Sequence, residues 1–152
     1  MKGIERWSHP TWDLFHTLAE KVKPEMFPKI KNKLFWIFKN ICSTLPCPEC
    51  REHAVSFVKL IRFKNIKTKA HFKQALFIFH NEVNNRLNKP QFTNDQLTKT
   101  YSEKNLRQVA GRFIRGYANA GGGNRDMANS MARSILLRNI DAWLKKNIRF
   151  FY

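Results

Sequence analysis

The sequence predicts an all-α protein, an antiparallel helical bundle with short connections. Three observations carry this. Every strong apolar periodicity lies near 3.6 residues, no two alternating segments pair as a hairpin, and proline or polar turn residues separate the periodic runs. At 152 residues the chain suits one domain, and 43% hydrophobic residues with 13 Phe and four Trp supply a core.

The elements follow in order. Ser8 reads as an N-cap, with Pro10 in the first turn and Trp12, Phe15, His16 and Ala19 at helical spacing; Lys23-Pro24 ends this helix. A second helix begins near Pro28 and carries Ile30, Leu34, Ile37 or Phe38, and Ile41 on one face, stopping before Leu45-Pro46. The third covers Cys47–Ile61, with Pro48 at its first position and Ala54, Phe57, Val58 and Ile61 in step. Arg62–Lys69 is a basic turn, with Thr68 as the cap of a long fourth helix from about Ala70 to Asn88. Phe72, Leu76, Phe79 or His80, Val83 and Leu87 are in phase there, and Pro90 terminates it. Thr93-Asn94-Asp95-Gln96 is a capping box that opens a short fifth helix through Tyr101.

Past about Lys104 the character changes. Gly111, Gly116 and Gly121-Gly122-Gly123 punctuate a more polar stretch. The triplet reads as a flexible break, because no strand precedes it and no Lys-Ser/Thr follows, as a phosphate loop requires. Met127, Met131, Ile135, Leu136, Ile140, Trp143 and Leu144 then mark an amphipathic helix, whose stripe packs on the bundle or meets a partner. The expected organisation is a unit over residues 1–104 and a C-terminal helical extension over 105–152.

The formal charge is +17, with 19 basic and 9 acidic side chains up to residue 104 and 9 and 2 beyond it. Such a diffuse field attracts nucleic acid, acidic proteins, anionic lipid or an anionic cofactor, or is simply a solvated basic surface. No apolar run of membrane-spanning length occurs, and Met1–Arg6 lacks the apolar region of a signal peptide. Three cysteines are too few for a secreted disulfide scaffold, which leads us to expect an intracellular setting.

Two of the three form Cys47-Pro48-Glu49-Cys50. A CxxC at a helix start closes a small disulfide ring, and the partial positive charge of the helix N-terminus favours thiolate. Two other readings stand beside a redox dithiol. Cys42, Cys47, Cys50 and His53 are four zinc-ligand types, and buried inert thiols need no chemistry.

The segment His80–Phe92 separates these readings. His80, Asn81 and Asn84 share one side of the fourth helix, with Val83 and Leu87 on the same flank to bury it. Polar groups on a buried face need partners, and a heteroaromatic ligand with its own donors and acceptors provides them. Solvated asparagines near a helix end are the plainer alternative.

With these residues assembled, the chain resembles the Erv/ALR family of FAD-dependent sulfhydryl oxidases over roughly residues 7–104. Trp12-Asp13-Leu14-Phe15-His16 is similar to the family's W-x-x-x-H, Cys47–Cys50 with the trailing His53 to its active-site dithiol, and His80 to Phe92 to its H-N-x-V-N-x-x-L-x-K-x-x-F signature. Tyr101 stands where many members place an aromatic residue against the flavin. The resemblance implies a four-helix bundle with a short fifth helix and FAD in the bundle mouth. Cofactor contacts would come from Trp12, His16, Cys50, His53, His80, Asn81, Val83, Asn84, Arg86, Leu87, Lys89, Phe92 and Tyr101, with Lys89 and Arg86 supplying charge to the pyrophosphate.

It also implies a cycle that needs no metal. Cys47 exchanges disulfides with a substrate dithiol, Cys50 passes two electrons to FAD, and oxygen accepts them as hydrogen peroxide. Expected partners are proteins with cysteine pairs, virion or thioredoxin-like proteins among them. Cys42 alone cannot form a second, shuttle disulfide within one chain, a feature of minimal members from large DNA viruses. That points to a virus, with action in the host cytoplasm and a place in the virion. The resemblance further implies a homodimer through the first two helices, around Phe35, Trp36 and Phe38. The competing reading is a basic helical module that binds zinc or nucleic acid, which leaves His80–Lys89 without a purpose.

Overall fold

The computed structural model describes residues 2–120 and 127–152, with only the backbone of Lys2. Among them are seven α-helices: α1 (Lys2–Lys21), α2 (Phe27–Ser43), α3 (Pro48–Leu60), α4 (Lys69–Arg86), α5 (Asn94–Ser102), α6 (Leu106–Ala118) and α7 (Met127–Asn147). Two of the predicted caps, Thr68 and Thr93, work locally as their chemistry requires. Thr68 accepts from the His71 amide. Thr93 and Gln96 form a reciprocal capping box. Asn105, not among the predicted caps, caps α6 through the Gln108 amide.

One shared core runs through α1, α2, α3, α4, α6 and α7. Leu14, Phe15 and Leu18 of α1, Leu34, Ile37 and Ile41 of α2, Leu76 and Phe79 of α4, Val109, Phe113 and Tyr117 of α6, and Ile140 and Leu144 of α7 are buried in the same cluster. Each fully buried aliphatic or aromatic side chain of this kind contributes about 1.5–3 kcal/mol against exposure. The segment beyond residue 104 therefore builds part of the core. Its last residues also return to α1, where Val22 bridges Phe151 and the Tyr152 amide donates to the Lys21 carbonyl at 2.7 Å.

Several expectations need correcting. Ser8 is no cap: α1 begins at Lys2 and runs through Pro10, because Trp7, Thr11 and Leu14 are held against the rest of the core. Pro10 has no N–H to give the Arg6 carbonyl. Gly116 of α6 packs on that carbonyl and on Pro10 Cγ, so a Cβ there would collide with the Arg6 oxygen. The glycines of the 105–120 stretch thus lie inside α6, where their residue type alone predicts punctuation. α4 stops at Arg86, leaving Leu87 53% exposed instead of burying the polar flank. In α7, Leu136, Ile140 and Leu144 are buried, while Met127, Met131 and Ile135 face away and are exposed. The expected break at Gly121–Asn124 lies outside the described residues.

Candidate active site

The dithiol is set by the end of one helix and the start of the next. Thr44 closes α2, and Cys47 is the N-cap of α3 with Pro48 behind it, so the Cys50 amide, an orphan of the first turn, donates to Cys47 Sγ at 3.2 Å. Cys47 and Cys50 are joined as a disulfide, with Cα atoms 5.2 Å apart. Both are partly buried against the core. The sulfurs are thus committed to each other, and His53 turns to Glu82 of α4 (3.3 Å). Cys42 lies apart, 1% exposed, and its burial pushes the thiol well above the ordinary range. These residues do not assemble as the four zinc ligands of the competing reading.

Beside α3 stands a column of rings built from three helices. Trp12 of α1 lies parallel to His80 of α4, centroids 3.9 Å apart. His16 Nε2 and His80 Nδ1 share a hydrogen bond of 2.8 Å, one nitrogen donating and the other accepting. Tyr101 of α5 stacks on His16 at 4.8 Å, and Phe92 meets His80 edge-on at 4.8 Å. Phe79 touches Trp12 (5.0 Å) and stacks on Phe57 of α3 (4.6 Å), so aromatic contact is continuous from the dithiol helix to the column.

Electrostatics keep this column neutral. Burial and the neighbouring His80 lower the His16 pKa to about 3, and burial with Lys89 and His9 lowers His80 to about 4. Burial and Asp13 push the Tyr101 hydroxyl up, and it donates to Asp13 Oδ1 at 3.2 Å. The site thus offers neutral donors and acceptors with aromatic faces. Asn81 makes two bonds to the Phe92 backbone, donating to its carbonyl (2.9 Å) and accepting from its amide (2.8 Å), which ties the loop after α4 across the mouth. Asn88 takes the left-handed conformation (φ 55°), and the Lys89 amide donates to the Asn84 carbonyl at 2.8 Å.

Two buried side-chain polar atoms among the described residues have no hydrogen-bond partner, Asn84 Nδ2 and Thr17 Oγ1. Such groups cost roughly 1–3 kcal/mol unless something answers them. A heterocycle with its own acceptors would answer the Asn84 amide, and the aromatic faces are of the kind a planar partner stacks on. Arg86 and Lys89 are exposed at the rim, suited to an anionic group.

Of the residues named from sequence, Trp12, His16, His80, Phe92 and Tyr101 are brought together by ring contacts. Asn81 and Asn84 border them on α4. Val83 is half-buried against the core, whereas Arg86, Leu87 and Lys89 sit at the open end of α4. Sequence reasoning passed over Asp13, Thr17, Phe57, Phe79 and Glu82. Asp13 lies inside the Trp12–His16 motif, and that position was the available signal; Phe57 and Phe79 carried only core periodicity, and Thr17 and Glu82 carried none.

A disulfide at the start of a helix that makes aromatic contact with a neutral histidine-and-tyrosine column, in a helical bundle, defines a redox dithiol protein built to take a planar heteroaromatic group. The chain belongs to the Erv1 / Alr family, whose model matches residues 9–102. It is similar to FAD-linked sulfhydryl oxidases of African swine fever virus. One, from isolate Warthog/Namibia/Wart80/1980, is 29% identical over 106 residues, covering 68% of this chain and 86% of the relative. Another, from isolate Pig/Kenya/KEN-50/1950, is 30% identical over 109 residues with the same coverage. Protein 347L of Invertebrate iridescent virus 6, whose name carries a provisional assignment as FAD-linked sulfhydryl oxidase, is 31% identical over 90 residues, 55% of this chain and 81% of the relative. No solved structure matches the chain at comparable significance.

Proposed function

We propose that this chain is an FAD-linked sulfhydryl oxidase, converting two protein thiols and oxygen to a disulfide and hydrogen peroxide. The observation that carries the reading is the Cys47–Cys50 disulfide at the start of α3, the helix whose Phe57 stacks on Phe79, which in turn touches the Trp12–His80 pair. FAD, when bound, supplies the two-electron acceptor that is reoxidised by oxygen. The residues that would hold it are Trp12, His16, His80, Asn81, Asn84, Phe92 and Tyr101, with Arg86 and Lys89 toward its phosphates and Cys50, His53, Val83 and Leu87 along the same edge.

The chain's own steps follow from thiol chemistry. A substrate thiolate attacks Cys47 Sγ, forming a mixed disulfide and releasing Cys50 as thiolate. The second substrate thiol then displaces Cys47, so the substrate leaves as a disulfide and the protein holds two thiols and two electrons. The α3 N-terminus stabilises thiolate at both sulfurs. His16 and His80, held neutral, donate and accept hydrogen bonds without adding charge, and the aromatic column excludes water.

Residues 1–104 are proposed as the oxidase unit in function, with 105–152 completing its core. Substrates are proteins with cysteine pairs, acidic ones favoured by the +17 charge. No helix among the described residues is long and apolar enough to cross a membrane. Action in a host cytoplasm on virion proteins is the finer proposal, prompted by the viral relatives. A homodimer is proposed at Trp36, which is exposed; Phe38 is core, and Phe35 packs on Phe63. Sedimentation of Trp36→Glu tests it, since a dimer that persists unchanged refutes that contact.

The deciding experiment is the visible spectrum of the purified protein with dithiothreitol added under air. Flavin bands that bleach with dithiol and return as oxygen is consumed support the reading. Cys47→Ser and Cys50→Ser should each abolish turnover with flavin retained. A colourless wild-type protein, or turnover persisting in either variant, overturns it.

A further inference from the structure

α7, outside the family-matched segment, closes on the loop that leads into the dithiol. Asn129 Nδ2 donates to the Thr44 carbonyl at 3.0 Å and the Leu45 carbonyl at 3.3 Å. Arg133 Nη1 donates to the same Thr44 carbonyl at 3.3 Å, while Nη2 donates to the Ala120 carbonyl and Ser130 Oγ, each at 3.0 Å. From the other side, Arg51 Nε donates to the Leu45 carbonyl at 3.0 Å, and the Tyr117 hydroxyl to the Ile41 carbonyl at 2.9 Å. Arg133 is 3% exposed. The Ile41, Thr44 and Leu45 carbonyls lie at the C-terminal end of α2 or just past it, ahead of Cys47, while the Ala120 carbonyl follows the end of α6.

A buried guanidinium is a poor device for stability alone, because an apolar side chain of similar volume is often as good or better. Its location gives it another use. A helix C-terminus carries a partial negative charge of about half a unit, and this one precedes a residue whose reactive form is an anion. We infer that Arg133, with Asn129, is a positioning residue for the dithiol. It holds the Thr44 and Leu45 carbonyls and offsets their charge, so that reduced Cys47 forms its thiolate at the α3 N-terminus. The inference rests on the redox reading of Cys47–Cys50 and is independent of the flavin.

The test is a glutathione equilibrium under argon on the full chain, alongside the pH profile of Cys47 alkylation in the reduced protein. In the equilibrium, the Cys47–Cys50 disulfide takes two electrons and two protons from two glutathione thiols, giving the dithiol and glutathione disulfide. Losing thiolate stabilisation disfavours the reduced form. Arg133→Met should therefore raise the constant for disulfide formation about tenfold, about 30 mV toward more negative potential, and move the alkylation profile to higher pH. Arg133→Lys, which keeps the charge, should stay near wild type. Asn129→Asp, at a half-buried position that leaves the α7 core face intact, should shift both readouts in the Arg133→Met direction. Unchanged readouts in Arg133→Met and Asn129→Asp, with only thermal stability lowered, would overturn the inference, as would equal shifts in the Lys and Met variants. Flavin absorbance of the wild type is read separately: its absence defeats the oxidase proposal while the glutathione equilibrium still reports on Arg133.

Discussion

Acidification from pH 7.5 to 5 should destabilise this fold through two side chains, His16 and His80. Their folded pKa values are about 3 and about 4 because the pair is buried, against about 6.5 in an unfolded chain. Since the folded values are lowered, the unfolded state binds the extra protons. The stabilisation is fully present above about pH 6.5 and is lost as pH falls toward the folded values. Each histidine contributes a slope of up to about 1.4 kcal/mol per pH unit, or about 2 kcal/mol by pH 5. Together that is about 4 kcal/mol, a large part of an ordinary folding free energy of about 5–15 kcal/mol. Urea denaturation followed by circular dichroism at pH 7.5, 6 and 5 measures it. His80→Gln should halve the slope, and 0.5 M salt, which screens the exposed lysines, should leave most of it. A stability flat across this range, or the same slope in His80→Gln, refutes the neutral buried pair.

Three further outcomes follow from particular contacts. Gly116→Ala gains roughly 1 kcal/mol of helix propensity but forces a methyl onto the Arg6 carbonyl at an overpacking cost of about 1–3 kcal/mol, so calorimetry should show a Tm lowered by a few degrees. Asn81→Ala removes both bonds to the Phe92 backbone, so flavin should dissociate faster, seen as a rise in free-flavin fluorescence, with the Cys47–Cys50 disulfide still formed. Cys42→Ser places a hydroxyl in a core site and should cost about 1–3 kcal/mol, while dithiol turnover stays at the wild-type rate because Cys42 takes no part in it.

Much of the architecture was legible because the signals are local. Thr68 and Thr93 act within one helical turn of themselves, so their caps could be read from residue type and spacing, whereas the cap that Cys47 Sγ makes appears only in the structure. The same locality misled at Ser8 and Gly116. Ser8 is a good cap by type, yet α1 continues upstream of it because Trp7 has a core to enter. Gly111 and Gly116 look like breaks, yet Gly116 is the residue that lets α6 approach α1. In α7 the apolar pattern is long enough to serve two faces, and only packing decided that Leu136, Ile140 and Leu144 turn inward while Met127, Met131 and Ile135 stay out.

Residue type and spacing suffice for the helical class, the dithiol at the start of α3, and the motifs around Trp12, Cys47 and His80 within the family-matched segment. The tertiary structure decided what those residues do to one another. His16 and His80 are 64 positions apart and Tyr101 and Asp13 are 88 apart, yet each pair bonds, and burial makes the histidines neutral. It also decided that Asn129 and Arg133, beyond the matched segment, reach the carbonyls ahead of Cys47. Caps and periodicity depend on neighbours within about four residues, whereas protonation state and the supports of a reactive sulfur depend on which distant surfaces the core brings into contact.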